Sequence, residues 1–193
     1  CHNRWLLDPK GKAIRDSAIL DFLRTRRGQL DGVVISGGEP TLQRFLIPLI
    51  EKIKRLGFLV KLDTNGTRPL VIKSLLNRNL LDYIAMDIKG PPEKYPVICK
   101  QRVDIKRIRQ SIDLIKTSGV SYEFRTTIWE PLLNETDLLN CGRLISGAST
   151  YYLQRSRPPS GFSQISVADK KISHGKLEAI RIQLNEWVDQ CYL

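Results

Sequence analysis

The sequence predicts an α/β fold in which helices alternate with the strands of one parallel sheet. Five short apolar runs separate amphipathic segments at intervals of about 25–35 residues, the size of a strand–helix repeat. Each apolar run ends in a turn rich in glycine or polar residues, and parallel α/β proteins bind their ligands at such strand ends. The pattern leaves two architectures open, a doubly wound open sheet or a partial barrel.

Hydrophobic periodicity and turn residues place the individual elements. The first helix is predicted to start at Asp16, which suits an N-cap, and to end at Gly28. Residues 1–12 and 160–172 have no regular period and are predicted to be irregular or loop. Strands are predicted at 33–36, 58–62, 82–86, 120–128 and 150–153, and helices at 16–27, 41–55, 69–76, 104–116, 135–145 and 176–190.

Composition narrows the class of protein. The chain has 193 residues, 41% hydrophobic and 26% charged, which predicts a soluble globular protein with one core. No apolar run approaches the ~20 residues of a membrane span, so no membrane partner is expected. The net charge of +11 invites an acidic or nucleic-acid partner. Without a zinc-finger, RRM or basic-helix pattern we expect no nucleic-acid binding, and we assign most of the charge to solvated surface.

The four cysteines, Cys1, Cys99, Cys141 and Cys191, form no CxxC pair and suggest no disulfide framework. This usage fits a reducing, cytoplasmic location. The last three cysteines are predicted to be structural. The chain begins at Cys1 without a methionine or a signal peptide, and from this we expect a fragment or a trimmed form.

One strand–turn–helix segment, residues 33–41, carries the strongest local signal. Gly37 and Gly38 permit positive φ and let a backbone group approach a bound molecule closely. Glu39 can accept hydrogen bonds from an amino group, and Pro40 suits the first turn of the following helix. For an isolated Gly-Gly-Glu the simpler interpretation is a plain turn between strand and helix, so the segment gains meaning only from the other strand ends.

Polar residues recur at the ends of the other predicted strands, and they are mixed in charge. Each alone has an ordinary explanation as an Asx turn, a local ion pair or a surface residue. Together they suit a ligand with an ammonium and a carboxylate group. Lys89 or Arg125 would bind the carboxylate, and the Gly38 backbone with an acid would bind the ammonium. The strand-end residues are Asp63, Thr64 and Asn65, then Asp87 and Lys89, then Arg125 and Thr127, and finally Gln154 and Arg155.

These segments resemble a known family. Residues 35–41, Ile-Ser-Gly-Gly-Glu-Pro-Thr, resemble the glycine-glycine-glutamate motif of radical S-adenosylmethionine (SAM) enzymes, which holds the amino group of SAM. Residues 62–66 and 86–89 are similar to the SAM-binding strand ends of the activases of glycyl-radical enzymes. Residues 31–36, 85–91 and 122–127 most resemble the anaerobic ribonucleoside-triphosphate reductase activating proteins. The similarity extends from Cys1 to about Pro158.

The resemblance implies a partial (β/α)6 TIM-like barrel that binds a 4Fe-4S cluster on a CxxxCxxC loop, with SAM on the fourth iron. An electron from the cluster would cleave SAM to a 5′-deoxyadenosyl radical, which takes hydrogen from a glycine of an anaerobic ribonucleoside-triphosphate reductase. A flavodoxin-like protein would be the reductant. Cys1 then corresponds to the third cluster cysteine. The implied SAM-binding residues are His2, Asn3, Gly37, Gly38, Glu39, Pro40, Asp63, Thr64, Asn65, Asp87, Ile88, Lys89, Arg125 and Gln154.

The sequence departs from the family pattern at its start. The first strand and the first two cluster cysteines are absent, and one thiolate cannot hold a 4Fe-4S cluster. We therefore expect the complete protein to be active and the chain as written to be inactive, with strand 33–36 exposed at the sheet edge. The expected organisation is a single radical SAM domain over 1–193, with 1–3 ending the cluster loop, 33–158 forming the barrel core and 160–193 a C-terminal loop and helix.

Two other functions stay open at this stage. One is another small radical SAM enzyme of the carboxy-deazaguanine synthase type, against which the Asp87-Ile88-Lys89 and Phe124-Arg125-Thr126-Thr127 segments argue. The other is a non-catalytic domain that binds SAM or a partner without chemistry.

Overall fold

Six parallel strands form one open sheet in the computed structural model, which describes residues 14–156 and 172–193. Their order in the sheet is their order in the chain, whereas a doubly wound sheet reverses direction at a switch point. The partial-barrel alternative is therefore confirmed, and β1 and β6 are the two edges of the described sheet. The strands are β1 (Gly32–Ile35), β2 (Leu59–Thr64), β3 (Tyr83–Asp87), β4 (Ser121–Ile128), β5 (Ala148–Arg155) and β6 (Val188–Tyr192).

Helices connect successive strands, as parallel pairing requires. Two short 3-10 turns, Pro40–Leu42 and Pro92–Lys94, follow β1 and β3. No described helix is long and apolar enough to cross a membrane. The helices are α1 (Asp16–Thr25), α2 (Leu46–Arg55), α3 (Pro69–Asn77), α4 (Tyr95–Cys99), α5 (Ile105–Lys116), α6 (Glu135–Leu144) and α7 (His174–Leu184).

The two faces of the sheet differ in polarity because side chains alternate along each strand. In β2, Val60, Leu62 and Thr64 are buried, whereas Lys61 and Asp63 between them are partly exposed. The buried set packs with the apolar faces of the helices in one continuous core. The opposite face, called the concave face below, carries the charged residues. Burial on one face only thus sets the register that brings charged side chains together on the other.

The sixth strand corrects the sequence prediction of five strands and a last helix over 176–190. The helix ends at Leu184, and the following residues pair with β5 through Tyr151–Cys191 and Tyr152–Tyr192. Asn185 supports the turn, since its side-chain oxygen accepts a hydrogen bond from the backbone of Cys191 at 2.9 Å. Val188 and Cys191 continue the helical spacing of Leu184, so the sequence pattern reads as helix on both sides of the turn.

Two predicted helix starts were also wrong. Asp16 is the first helical residue rather than the N-cap, which is Arg15 and makes no side-chain capping bond. The helix predicted from Thr41 begins at Leu46, because Gln43 is extended and interrupts it. The loop predicted at 160–172 lies outside the described residues except for its last position.

Candidate functional site

A cavity of about 130 Å³ opens at the carboxyl ends of β1, β2 and β3, on the concave face. Every strand end that forms it was singled out from the sequence. This volume is below the roughly 300–1,000 Å³ of pockets that enclose a drug-sized molecule. It therefore suits one end of a larger ligand whose remainder lies over the open concave face. The lining residues are Ser36, Gly37, Gly38, Glu39, Asp63, Thr64, Asn65, Asp87, Lys89 and Arg125.

The Glu39 carboxylate joins the first two strand ends of the cavity. One oxygen accepts hydrogen bonds from the Thr64 hydroxyl at 2.8 Å and from the backbone N–H and the hydroxyl of Thr41. The other oxygen accepts from the backbone N–H of Asn65 at 2.7 Å. Gly37, two residues before Glu39, has a φ of +142°, a conformation that favours glycine. One Glu39 oxygen therefore accepts three hydrogen bonds and the other accepts one, so the carboxylate ties the two strand ends together and its second oxygen can still accept from a further donor.

Arg125, Asp87 and Lys89 form an ion-pair chain across the cavity. The Nε of Arg125 donates to one Asp87 oxygen at 3.2 Å, and the Nζ of Lys89 donates to the other at 2.8 Å. The guanidinium also lies 3.7 Å from Asp63. One carboxylate thus holds two cations at the mouth of the cavity, and each cation keeps N–H groups that are not used by Asp87.

Asp63 carries the one unmet acceptor among the buried side-chain atoms of the described residues. Its Oδ1 is buried and has no hydrogen-bond partner in residues 14–156 and 172–193. A buried carboxylate oxygen without a donor is costly unless something binds to it. The cavity therefore fits a ligand that brings a cationic N–H donor to Asp63.

A second polar cluster on the concave face was missed by the sequence analysis. The hydroxyl of Tyr83 donates to Glu123 at 2.8 Å, and the Nζ of Lys61 donates to the same carboxylate at 3.1 Å. The Nζ of Lys61 also lies 4.7 Å from the centre of the Tyr83 ring. Burial and the bond to Glu123 raise the pKa of Tyr83. Strand alternation was the available signal, because Lys61 and Glu123 stand two residues before Asp63 and Arg125.

Three predicted site residues lie apart from the cavity lining. Pro40 is buried in the turn after Glu39, and Gln154 is exposed on β5. Ile88 is fully buried, and its backbone is fixed at both ends by the neighbouring strand. Its N–H donates to the Arg125 carbonyl at 2.7 Å, and its carbonyl accepts from the Thr126 hydroxyl at 2.8 Å. These bonds make Ile88 a support for Asp87 and Lys89 on either side of it. Cys1, His2 and Asn3 lie outside the described residues.

The described cysteines are not arranged to bind a metal. Cys99, Cys141 and Cys191 are free, and no group of three or more potential ligands forms within the described residues. Burial raises the pKa of Cys141 and of Cys191 to about 12, and it also raises the pKa of Cys99. Because metal ligation needs the thiolate, these environments fit structural cysteines and not cluster ligands.

Comparison with known protein families identifies the superfamily of this chain. Residues 1–137, more than half of the chain, match the profile of the Radical SAM superfamily. The chain therefore belongs to this superfamily, whose members use a 4Fe-4S cluster and S-adenosylmethionine.

Two curated relatives are similar over most of the chain. A Methanocaldococcus jannaschii protein named "Putative glycyl-radical enzyme activating enzyme" is 36% identical over 172 residues, which cover 85% of this chain and 70% of the relative. The 7-carboxy-7-deazaguanine synthase of Thermococcus kodakarensis is 30% identical over 164 residues, covering 83% of this chain and 59% of the synthase.

A solved structure has the same fold. A domain of the pyruvate-formate lyase-activating enzyme of Bacteroides vulgatus superposes with a TM-score of 0.66 at 16% identity, covering 84% of this chain and 97% of that domain. The partial barrel is therefore shared with a protein of very different sequence.

Replacing Glu39 by glutamine should destabilise the junction between β1 and β2. The Glu39→Gln amide would turn a donor toward N–H or O–H groups that now donate to a carboxylate. We expect the free energy of unfolding to fall by about 2 kcal/mol, measured by urea denaturation. The control is Glu51→Gln, whose partly exposed carboxylate pairs with Arg78 at the surface and should change stability by less than about 0.5 kcal/mol. Equal effects of the two substitutions would contradict the junction role.

The buried thiols should resist alkylation in the folded protein. With a pKa of about 12 for Cys141 and Cys191, only about one thiol in ten thousand is ionised at pH 8. We expect iodoacetamide to label both at least about 100-fold more slowly in the folded than in the urea-unfolded protein, measured by peptide mass spectrometry.

Since the folded pKa of each thiol lies above the ordinary value of 9.0, the contribution of the two thiols to the free energy of unfolding is complete below pH 9 and is lost as the pH rises toward 12.

In the alkylation experiment, rapid labelling of Cys141 under native conditions would contradict its buried placement.

Proposed function

We propose that this chain is the SAM-binding core of an activase that generates a glycyl radical on an anaerobic ribonucleoside-triphosphate reductase. The observation that carries the proposal is the cavity at the strand ends, where a buried acceptor on Asp63 lies beside the ion-pair chain of Arg125, Asp87 and Lys89. An amino-acid moiety has the complementary pair of charges. Within the proposal, residues 1–193 act as a single domain.

The two ends of the amino-acid moiety bind to different parts of the cavity. Its ammonium donates to Asp63 Oδ1 and to backbone oxygen at Gly38. Its carboxylate accepts from the unused N–H groups of Lys89 and Arg125, while Asp87 keeps both cations in place. Glu39 positions this site by fixing Thr64 and Asn65, and its second carboxylate oxygen, which accepts one hydrogen bond from the chain, is a further acceptor for the ammonium.

The remaining predicted residues complete the site in the proposal. Cys1 is one ligand of the 4Fe-4S cluster, with His2 and Asn3 beside it, and Gln154 contacts the part of SAM that lies over the concave face. When bound, the cluster supplies the electron that cleaves SAM reductively. The protein's own residues orient SAM, and the open concave face admits the glycine-bearing segment of the partner.

Support for the activase and for its partner comes from different sources. The 36% identity to the Methanocaldococcus jannaschii relative, over most of both chains, favours an activating enzyme. The reductase as the partner, and a flavodoxin-like protein as the reductant, rest on the resemblance of residues 85–91 and 122–127 to the reductase-activating proteins.

Product analysis tests this function. The complete protein, reconstituted anaerobically with iron and sulfide, is supplied with SAM, dithionite and a purified anaerobic ribonucleoside-triphosphate reductase. We expect 5′-deoxyadenosine and an electron paramagnetic resonance signal of a glycyl radical on the reductase, each dependent on SAM. SAM bound without cleavage would identify a non-catalytic binding domain instead.

A second candidate function is that of a 7-carboxy-7-deazaguanine synthase, favoured by the 30% identity to the Thermococcus kodakarensis enzyme. This alternative predicts SAM cleavage without any glycyl radical on the reductase. It has less support, because the aligned region covers only 59% of that enzyme.

Removing the Lys89 ammonium should weaken SAM binding. The Lys89→Ala variant of the complete protein loses one charge-assisted donor to the SAM carboxylate, at a site that is partly exposed. We expect the dissociation constant for SAM to rise about tenfold, measured by isothermal titration calorimetry. Lys73→Ala, on the exposed surface of α3, is the matched control and should bind SAM as the wild type does. Unchanged affinity in Lys89→Ala would remove this residue from the site.

A further inference from the structure

Five of the thirteen exposed large apolar side chains of the described residues lie on the segments that follow β1 to β4. Phe45 and Leu70 are each 73% exposed and Val97 is 63% exposed, although side chains of this size are usually buried. Leu42 is 56% exposed and Trp129 is 39% exposed. We call these five residues, Leu42, Phe45, Leu70, Val97 and Trp129, the apolar rim.

The topology places the apolar rim on the edge of the sheet where the cavity opens. In a parallel sheet each strand ends at the same edge, and the following helix starts there. Leu42 and Phe45 lie between β1 and α2, Leu70 is the second residue of α3, Val97 lies in α4, and Trp129 directly follows β4. Four successive connections thus each contribute exposed apolar surface at the mouth of the cavity. Single exposed apolar residues are ordinary, but a set at one edge indicates an interaction site.

Positive charge accompanies the apolar rim. Arg44 and Arg68 immediately precede Phe45 and Pro69, and Lys100 and Arg102 follow α4. All four are exposed, and none forms an ion pair with another residue of the described ranges 14–156 and 172–193. The exposed acids of the same connections are Glu93, and Asp104 and Glu135, which pair with Arg107 and Lys176. A partner that covers this edge would therefore present acidic groups around an apolar centre.

We propose that the apolar rim and its four cations form the docking surface for an acidic protein face that surrounds the target glycine. The inference rests on the proposed activase function and adds the surface on which the partner is held. Four separate connections form the apolar rim, rather than one amphipathic helix of the kind that lies in a membrane interface. The apolar rim surrounds the mouth of the cavity, and this arrangement suits a folded protein partner. Such a partner can insert one segment into the cavity while the surface around that segment contacts the apolar rim.

Paired substitutions in the complete protein test this surface against the purified anaerobic ribonucleoside-triphosphate reductase. The rim variants are Phe45→Ser, Leu70→Ser and Arg44→Glu. The matched controls are Ile182→Ser, which is 61% exposed near the end of α7 at the opposite edge of the sheet, and Lys52→Glu, which lies near the end of α2. Reductase binding is measured anaerobically by biolayer interferometry, glycyl radical by electron paramagnetic resonance, and SAM cleavage by dithionite without the reductase.

We expect each rim variant to weaken reductase binding by about tenfold and to lower glycyl-radical yield, while SAM cleavage without the reductase and both controls stay at wild-type values. Raising the salt concentration should weaken wild-type binding more than binding by Arg44→Glu. Rim variants that bind the reductase as tightly as the wild type would overturn the docking surface and leave the proposed function intact.

Two further outcomes also count against the proposal, in distinguishable ways. If the wild-type protein makes no glycyl radical and does not bind the reductase, the proposed function fails together with its docking surface. The other source of such a surface is a membrane, tested with vesicles of phosphatidylcholine and phosphatidylglycerol. Loss of vesicle binding in the rim variants with unchanged reductase binding would assign the rim to lipid and overturn its role in docking a protein.

Discussion

The hydrogen bonds to the Glu39 carboxylate are the interaction on which the candidate site depends. One side chain from the turn after β1 accepts from Thr64, which ends β2, from Asn65, which follows it, and from Thr41 in the same turn. Buried at this point, a carboxylate is tolerable only because each oxygen has donors. The same bonds determine where the backbone around Gly37 and Gly38 stands relative to Asp63. The acid of the glycine-glycine-glutamate motif therefore fixes the shape of the cavity.

How far the sequence predicts this structure depends on where each residue lies in its element. Asp63, Asp87 and Lys89 were recognised because they end strands or follow them, and the turn residues beside them mark those ends. Tyr83 begins β3 and Glu123 lies inside β4, both away from the carboxyl ends of their strands, so only face alternation and the pairing register, Ala85 opposite Glu123, bring them under the cavity. Register depends on packing between elements, which a single sequence does not specify. The strand β6 was missed for a related reason, since Val188 fits both a helix and a strand.

The concave face has the composition of a ligand-binding site rather than of a hydrophobic core. A closed barrel of this kind fills its interior with branched apolar side chains. Here the sheet is open between β1 and β6, and the interior positions of β2, β3 and β4 carry ion pairs and a tyrosine instead. Stability therefore comes from the other face, where Leu62, Ile84 and Phe124 are completely buried against the helices. This separation leaves the concave face free to change its polar partners without loss of the core.

The balance of charges on the concave face determines how strongly it attracts different ligands. Asp63, Asp87 and Glu123 are balanced by Lys61, Lys89 and Arg125, so the face has almost no net charge although it is densely ionic. A zwitterionic amino-acid moiety gains little from long-range attraction to such a surface, and its binding relies on short-range exchange of one ion pair for another. Arg44, Arg68, Lys100 and Arg102 around the mouth have the opposite character, because their uncompensated field reaches into solvent. In the proposed docking the rim cations attract an acidic macromolecule from a distance, whereas the concave face recognises the amino-acid moiety of its small ligand only on contact.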